Sequence, residues 1–103
     1  MSILDFTNRL AIPSHVLIRH LDGESVLLNL RNERYYGLDA TGTRMWEVAT
    51  TQPTIELAYK KLLEEFEVEP QILKNHFEEL LSGLVENGLL QMLPADVGTT
   101  STV

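Results

Sequence analysis

The chain has 103 residues, a net charge of −7 and no cysteine. This length predicts one domain with a modest core. The missing thiols exclude disulfides, thiolate metal sites and cysteine nucleophiles. The acidic charge argues against non-specific binding to nucleic acid, where basic residues must displace phosphate counterions. No apolar run approaches the roughly 20 residues of a membrane span, and no signal peptide is evident, so we expect a cytoplasmic protein that binds neither nucleic acid nor membrane.

Three segments are predicted along the chain. Residues 1–14 form a loosely attached N-terminal extension that ends at Pro13. Residues 15–93 form the folded domain. Residues 94–103 form a disordered tail, because the sequence after Pro94 is small and polar.

The first half of the domain is predicted to be a three-stranded antiparallel meander. The segment His15–Leu21 is β-branched and apolar, and the Asp22-Gly23 pair after it is a strong two-residue hairpin signal. The return strand Glu24–Leu30 alternates, and a second short turn leads to a third strand, Arg34–Leu38. No strand is predicted to cover the third one, so it forms an open edge. Open edges are either protected or used to bind another extended chain.

Tyr35 and Tyr36 are neighbours on this third strand, so their side chains point to opposite faces. We expect one tyrosine in the core and the other against a partner. Arg31 and Arg34 flank the same strand, where they either meet carboxylates of a bound peptide or only make the surface soluble.

The second half is predicted to be helical. Asp39 caps a first helix over about Ala40–Ala49, and Thr54 caps a second. A third helix runs from about Gln71 to Glu86, with Pro70 in its first turn. The fold class is therefore α+β, a three-stranded antiparallel sheet followed by three helices, similar in outline to a winged helix-turn-helix.

The apolar arc of the third helix is wider than one packing face needs. Either the whole arc is buried, or one part faces the core while another lines a groove beside the sheet. Its members are Ile72, Leu73, His76, Phe77, Leu80, Leu81, Leu84 and Val85.

Residues with the spacing of a catalytic or metal site are not evident. His15, His20 and His76 show no ligand motif, and nothing places a base beside a serine. We expect no enzymatic activity, no cofactor and no metal.

The segments resemble the PqqD-like family over about residues 13 to 92. The resemblance rests on the order of HVLIR, VLLNLRNERYYGLDATGTRMWEV, LLEEFEVEP and ELLSGLVENGLL, and the run LNLRNERYYGLDATGTRMWE is its most specific part. Members of this family are recognition elements for the precursors of ribosomally made and modified peptides (RiPPs). The third strand is most similar to that of the stand-alone leader-binding proteins of lasso-peptide biosynthesis.

The resemblance implies a non-catalytic module to which the leader segment of a precursor peptide adds as a strand, along the third strand and against the third helix. The implied partners are that peptide and a leader peptidase or another maturation enzyme, and the module is a monomer or weak homodimer.

The alternatives are a PqqD-type chaperone in coenzyme PQQ synthesis and a winged-helix DNA-binding regulator. The predicted peptide-binding residues are Leu28, Leu30, Glu33, Arg34, Tyr35, Tyr36, Gly37, Leu38, Leu73, His76, Phe77 and Leu80.

Overall fold

The computed structural model describes residues 4–94, which contain five strands and three helices. In chain order these are β1 (Arg9–Ala11), β2 (Val16–Leu21), β3 (Glu24–Asn29), β4 (Arg34–Leu38), α1 (Ala40–Thr51), α2 (Ile55–Glu65), α3 (Pro70–Glu86) and β5 (Gln91–Leu93). The predicted α+β class, with its three-stranded antiparallel sheet and three helices, is confirmed. The predicted tail lies, apart from Pro94, outside the described residues.

The three-stranded sheet has the order β2-β3-β4, and both pairings are antiparallel. The hairpin between β2 and β3 turns at Asp22 and Gly23, whose φ angles are 52° and 84°. Two consecutive positive φ angles are typical of a type I′ turn, which matches the twist of the flanking strands. The predicted hairpin is therefore confirmed.

The inner face of the sheet packs on the helices, although two of its residues on β3 are polar. Leu27 is fully buried. On either side of it, Ser25 shares a 2.7 Å hydrogen bond with Thr43 of α1, and Asn29 donates from Nδ2 to the carbonyl of Asn87 at 3.2 Å. Since buried polar groups need such partners, these bonds allow a polar residue on each side of the leucine.

The helices begin where the sequence places caps. Asp39 accepts from the Gly42 amide at 2.8 Å, and Thr54 accepts from the Leu57 amide at 3.2 Å. Each bond satisfies an otherwise unpaired amide in a first helical turn. Pro70 starts α3, where its missing N–H costs no helical hydrogen bond.

The N-terminal segment is part of the fold. β1 pairs antiparallel with β5, and Leu4 and Leu10 are buried. The Phe6 ring packs edge-on against Tyr59 and Phe77, with ring centroids 6.0 and 6.4 Å apart. The prediction that residues 1–14 are loosely attached is therefore wrong for residues 4–14.

The same segment also completes the start of α2. The amide of Ile55 donates to the carbonyl of Asn8, and the amide of Glu56 donates to the carbonyl of Phe6, both at 2.8 Å. These amides lie in the first turn of α2, where a helix has no internal acceptors for them. The N-terminal segment thus stabilises α2 through its backbone as well as through its apolar side chains.

Candidate functional site: the open edge of β4

Among the described residues, β4 pairs with β3 on one side and with no strand on the other. The pairing register decides which main-chain groups face the open side. Leu30 donates its amide to the carbonyl of His15, so alternate residues of β3, including Leu28, direct their amides and carbonyls toward β2. The residues between them, including Leu27, therefore face β4.

Leu27 lies opposite Tyr36 in the register, so the main-chain groups of Tyr36 face β3. The amides and carbonyls of Tyr35 and Gly37 then point away from the sheet. This places two donors and two acceptors on the unpaired edge of β4.

The two tyrosines point to opposite faces, as predicted. Tyr35 is 76% exposed on the outer face, whereas Tyr36 packs against the core on the inner face. A Cβ on Gly83 of α3 would lie 3.5 Å from the Tyr36 hydroxyl. Tyr36 therefore reaches the helix, and α3 lies beside the inner face of β4.

Gly83 identifies which face of α3 lies beside Tyr36. Residues three, seven and eleven positions earlier, Leu80, His76 and Ile72, lie on the same side of the helix. Leu80 is half-buried, His76 is exposed and Ile72 is 51% exposed. The structure thus brings the predicted residues Leu80 and His76 to the helix face that Tyr36 approaches. Ile72 shares this face, although it was not among the predicted binding residues.

Three of the predicted side chains are in the core instead. Leu38, Leu73 and Phe77 are 5%, 2% and 0% exposed. Periodicity left open which part of the third helix faces the core, and the structure shows that Leu73 and Phe77 do. The side chains of Leu73 and Phe77 therefore do not line a surface groove in this structure.

Three further predicted residues need correction. Leu28 and Leu30 lie on the outer face of the sheet, away from α3, so they cannot form the floor of a groove against that helix. Leu30 is 52% exposed, because the inner positions of β3 are taken by Leu27 and its two polar neighbours. Glu33 precedes β4 and has a φ of 61°, so it belongs to the turn.

A cavity of about 120 Å³ lies where the open edge of β4 meets the end of α3. It is lined by the predicted residues Arg34, Tyr35 and Tyr36, and by Asn32, Asn87 and Leu89. The last three were missed by sequence reasoning, because a contact between the β3–β4 turn and the residues after α3 spans more than fifty positions. The Asn87-Gly88 pair is typical of a helix end, and this local pattern does not indicate a contact with the β3–β4 turn.

The chemistry of this site is that of main-chain pairing. Within residues 4–94 no group of histidine and carboxylate side chains could hold a metal ion. No helix in that range is long and apolar enough to cross a membrane. The outward amides and carbonyls of β4 are groups of the kind that pair with an extended chain.

The family model described as Coenzyme PQQ synthesis protein D (PqqD) matches residues 24–90, which include β3, β4 and all three helices. The chain belongs to the PqqD family. The matched region of this PqqD-family chain begins after β1 and ends before β5, so the small two-stranded sheet lies outside it. A comparison with curated proteins gave no match.

Two solved structures share the fold of this PqqD-family chain. The structure "TbiB1 in Complex with the TbiA(beta) Leader Peptide" is 30% identical, with a TM-score of 0.70, and the alignment covers 79% of this chain and 94% of TbiB1. The structure "Lasso peptide synthetase B1 complexed with the leader peptide" is 22% identical, with a TM-score of 0.69, and the alignment covers 81% and 98% of the two chains. The second similarity is evidence for the fold alone.

Proposed function

We propose that this protein is a non-catalytic module that captures the leader segment of a ribosomally made precursor peptide. The leader adds as a further strand to β4. The observation that carries the proposal is the edge of β4 that no strand within residues 4–94 covers, where the amides and carbonyls of Tyr35 and Gly37 point away from the sheet. Main-chain hydrogen bonds to these groups give affinity for an extended peptide without demanding a particular sequence.

Side chains on both faces of an added strand would then give specificity. Alternate residues of the peptide would point to the inner side, toward Tyr36, Leu80 and His76. The others would point to the outer side, next to the exposed ring of Tyr35. An exposed aromatic ring supplies a large apolar contact at little cost in conformational entropy.

The similarity to TbiB1 supports a leader peptide as the ligand, because that relative is described in complex with one. The sequence of the third strand, which resembles that of the stand-alone leader-binding proteins of lasso-peptide biosynthesis, favours a lasso-peptide pathway, in which the module would present the bound precursor to a leader peptidase. The family description favours a second candidate, a peptide chaperone for a precursor of coenzyme PQQ. Both candidates use the same edge and differ in the peptide that it holds.

Fluorescence anisotropy tests the proposal directly. A labelled leader peptide, from a precursor gene encoded beside the gene for this chain, is titrated with the full protein. We expect saturable binding with a Kd of micromolar or below, which corresponds to about −8 kcal/mol or stronger. A scrambled leader of the same composition serves as the control for non-specific binding.

The two candidates are separated by competition. Unlabelled leaders from a lasso-peptide precursor and from a PQQ precursor are added to the preformed complex. Displacement by only one of them assigns the pathway. Failure of the neighbouring leader to bind at all would contradict the proposed function.

A further inference from the structure

A second cavity, lined by polar residues and one glycine, adjoins the open edge of β4. It measures about 530 Å³ and lies at the turn between β3 and β4, beside the end of α3. It shares Asn32, Arg34 and Asn87 with the 120 Å³ cavity at the edge, so the two lie side by side. A peptide that pairs with β4 and continues past Arg34 would lie over this polar cavity.

Two arginines line the polar cavity. Neither the Arg31 nor the Arg34 guanidinium takes part in any hydrogen bond or ion pair found within residues 4–94, although Arg44 elsewhere binds two carboxylates. Glu86 is the one acidic side chain that the described lining contains. Glu86 could balance one of the arginines, which leaves at least one cation available to a ligand.

The turn that carries these arginines is fixed in place. The amide of Arg31 donates to Asn29 Oδ1 at 2.9 Å, and the amide of Arg34 donates to Asn32 Oδ1 at 3.0 Å. Asn29 is itself bonded to the carbonyl of Asn87, which ties the turn to the end of α3. Both guanidinium groups therefore extend from a defined backbone into the same cavity.

The other groups at the cavity do not supply a competing anion. His15 donates from Nε2 to the carbonyl of Gly88 at 3.1 Å, since a carbonyl oxygen can only accept. The carbonyl of Asn87 is likewise occupied by the amide of Asn29. The cavity thus offers guanidinium donors and no described carboxylate beyond Glu86.

We propose that this cavity binds an aspartate or glutamate side chain of the peptide held on β4. This inference rests on the proposed function and adds the chemical class of one peptide residue. A guanidinium binds a carboxylate through two parallel hydrogen bonds, which add geometric selectivity as well as affinity. In a chain of net charge −7, two neighbouring arginines that form no ion pair within residues 4–94 favour an acidic residue at one position of the peptide.

Such a contact would also fix the register of the added strand. Main-chain pairing tolerates a slip of two residues, because side chains then return to the same face. A carboxylate held at one end of β4 penalises that slip, since the ion pair would be lost.

Charge-neutralising variants test the inference. Arg31→Gln and Arg34→Gln are each titrated with the labelled leader peptide, and Arg19→Gln is the control because it removes the same charge from the exposed outer face of β2. We expect Arg31→Gln or Arg34→Gln to raise the Kd about three- to tenfold, as for a partly exposed ion pair, and Arg19→Gln to change it less than twofold.

The same titration is repeated with peptides in which each acidic residue is replaced by its amide. One replacement should raise the Kd by a similar factor, and it should have no further effect on the arginine variant that lost affinity. Equal losses in all three arginine variants would indicate general electrostatic attraction and overturn the inference, as would an unchanged Kd or a tightly binding leader without an acidic residue. Those results leave the proposed function intact, whereas failure of the unmodified leader to bind the unmodified protein contradicts the function itself.

Discussion

Gly37 is one of the two residues whose main chain faces the open side of β4, and it offers the sharpest substitution. Its amide points away from β3, and a Cβ added there would meet no atom within 4 Å. Proline is tolerated on an edge strand when its missing N–H faces outward, so Gly37→Pro should leave the fold intact. It removes one donor to the peptide and should raise the Kd about tenfold, the cost of one hydrogen bond. Peptide titration beside thermal unfolding measures both effects.

Gly37→Ala is the matched control, since it keeps the donor and its methyl group points into open space. It should bind the leader as the unmodified protein does. Tyr36→Pro should instead destabilise the domain, because the Tyr36 amide faces Leu27. Normal peptide binding by a folded Gly37→Pro variant would contradict the proposed edge pairing.

The sequence pattern predicted the side-chain directions on β4 but not those on β3. Alternation predicted that Tyr35 and Tyr36 face opposite sides, and they do. It could not identify the core side of β3, because Ser25 and Asn29 are polar and their partners lie 18 and 58 residues away. The more apolar set of residues on β3 therefore lies on the outer face.

At the scale of elements, α3 serves the core and the proposed groove with different residues. Phe77 is fully buried. Phe77→Ala should lower the free energy of unfolding by roughly 3–5 kcal/mol, because it leaves a cavity in the core. Urea denaturation measures this loss.

Ile72→Ser is the complementary variant, since Ile72 is 51% exposed on the face that lies beside Tyr36. Its unfolding free energy should stay within about 1 kcal/mol of the unmodified protein, since surface substitutions have small effects. A Phe77→Ala variant with unchanged stability and weakened peptide binding would contradict the assignment of Phe77 to the core.

The ion pair between α1 and α2 should make stability depend on pH. Arg44 contacts Glu65 at 2.6 Å, and this hydrogen bond lowers the pKa of the Glu65 carboxyl from its ordinary value of 4.5. A carboxyl whose pKa is lower in the folded state stabilises the fold above its unfolded pKa, and this contribution disappears as the pH falls through the folded pKa.

Glu65→Gln should therefore be less stable than the unmodified protein at neutral pH. The difference between the two unfolding free energies should shrink as the pH is lowered below 4.5. Denaturation series at neutral and acidic pH provide the measurement. A difference that stays constant over this range would show that the charge of Glu65 has no stabilising role.

The helices themselves were predictable, because caps and apolar periodicity are local signals. Asp39, Thr54 and Pro70 mark the three starts in the sequence and in the structure. The orientation of α3 was not predictable, since an error of one position rotates a helix face by about 100°. In the structure, Gly83 lies beside the Tyr36 hydroxyl, and this position shows which face of α3 is turned toward β4.

At the scale of the whole molecule, the N-terminal segment closes the fold. Leu10 on β1 is 5% exposed, whereas Ile12 just after that strand is 44% exposed. Leu10→Ala should cost about 2–5 kcal/mol of stability, as for other buried leucines. Ile12→Ala should cost less than about 1 kcal/mol, so it is the matched control. Equal effects in thermal or urea unfolding would contradict the docked position of β1.

The β1–β5 pairing was missed because each strand has three residues, too few for a periodic pattern, and because the partners lie at opposite ends of the chain. Leu89 and Leu90, which lead into β5, are buried on the core. Non-local pairing of short strands leaves little trace in a local sequence window.

A peptide that pairs with the outward groups of β4 should protect their amides from exchange with solvent. Amide hydrogen exchange, followed residue by residue by NMR with and without the leader peptide, measures this protection. We predict that bound peptide slows exchange at Tyr35 and Gly37 by at least about tenfold, while Tyr36 and Leu38, already bonded to β3, change far less. Unchanged exchange at Tyr35 and Gly37 under saturating peptide would contradict strand addition at this edge.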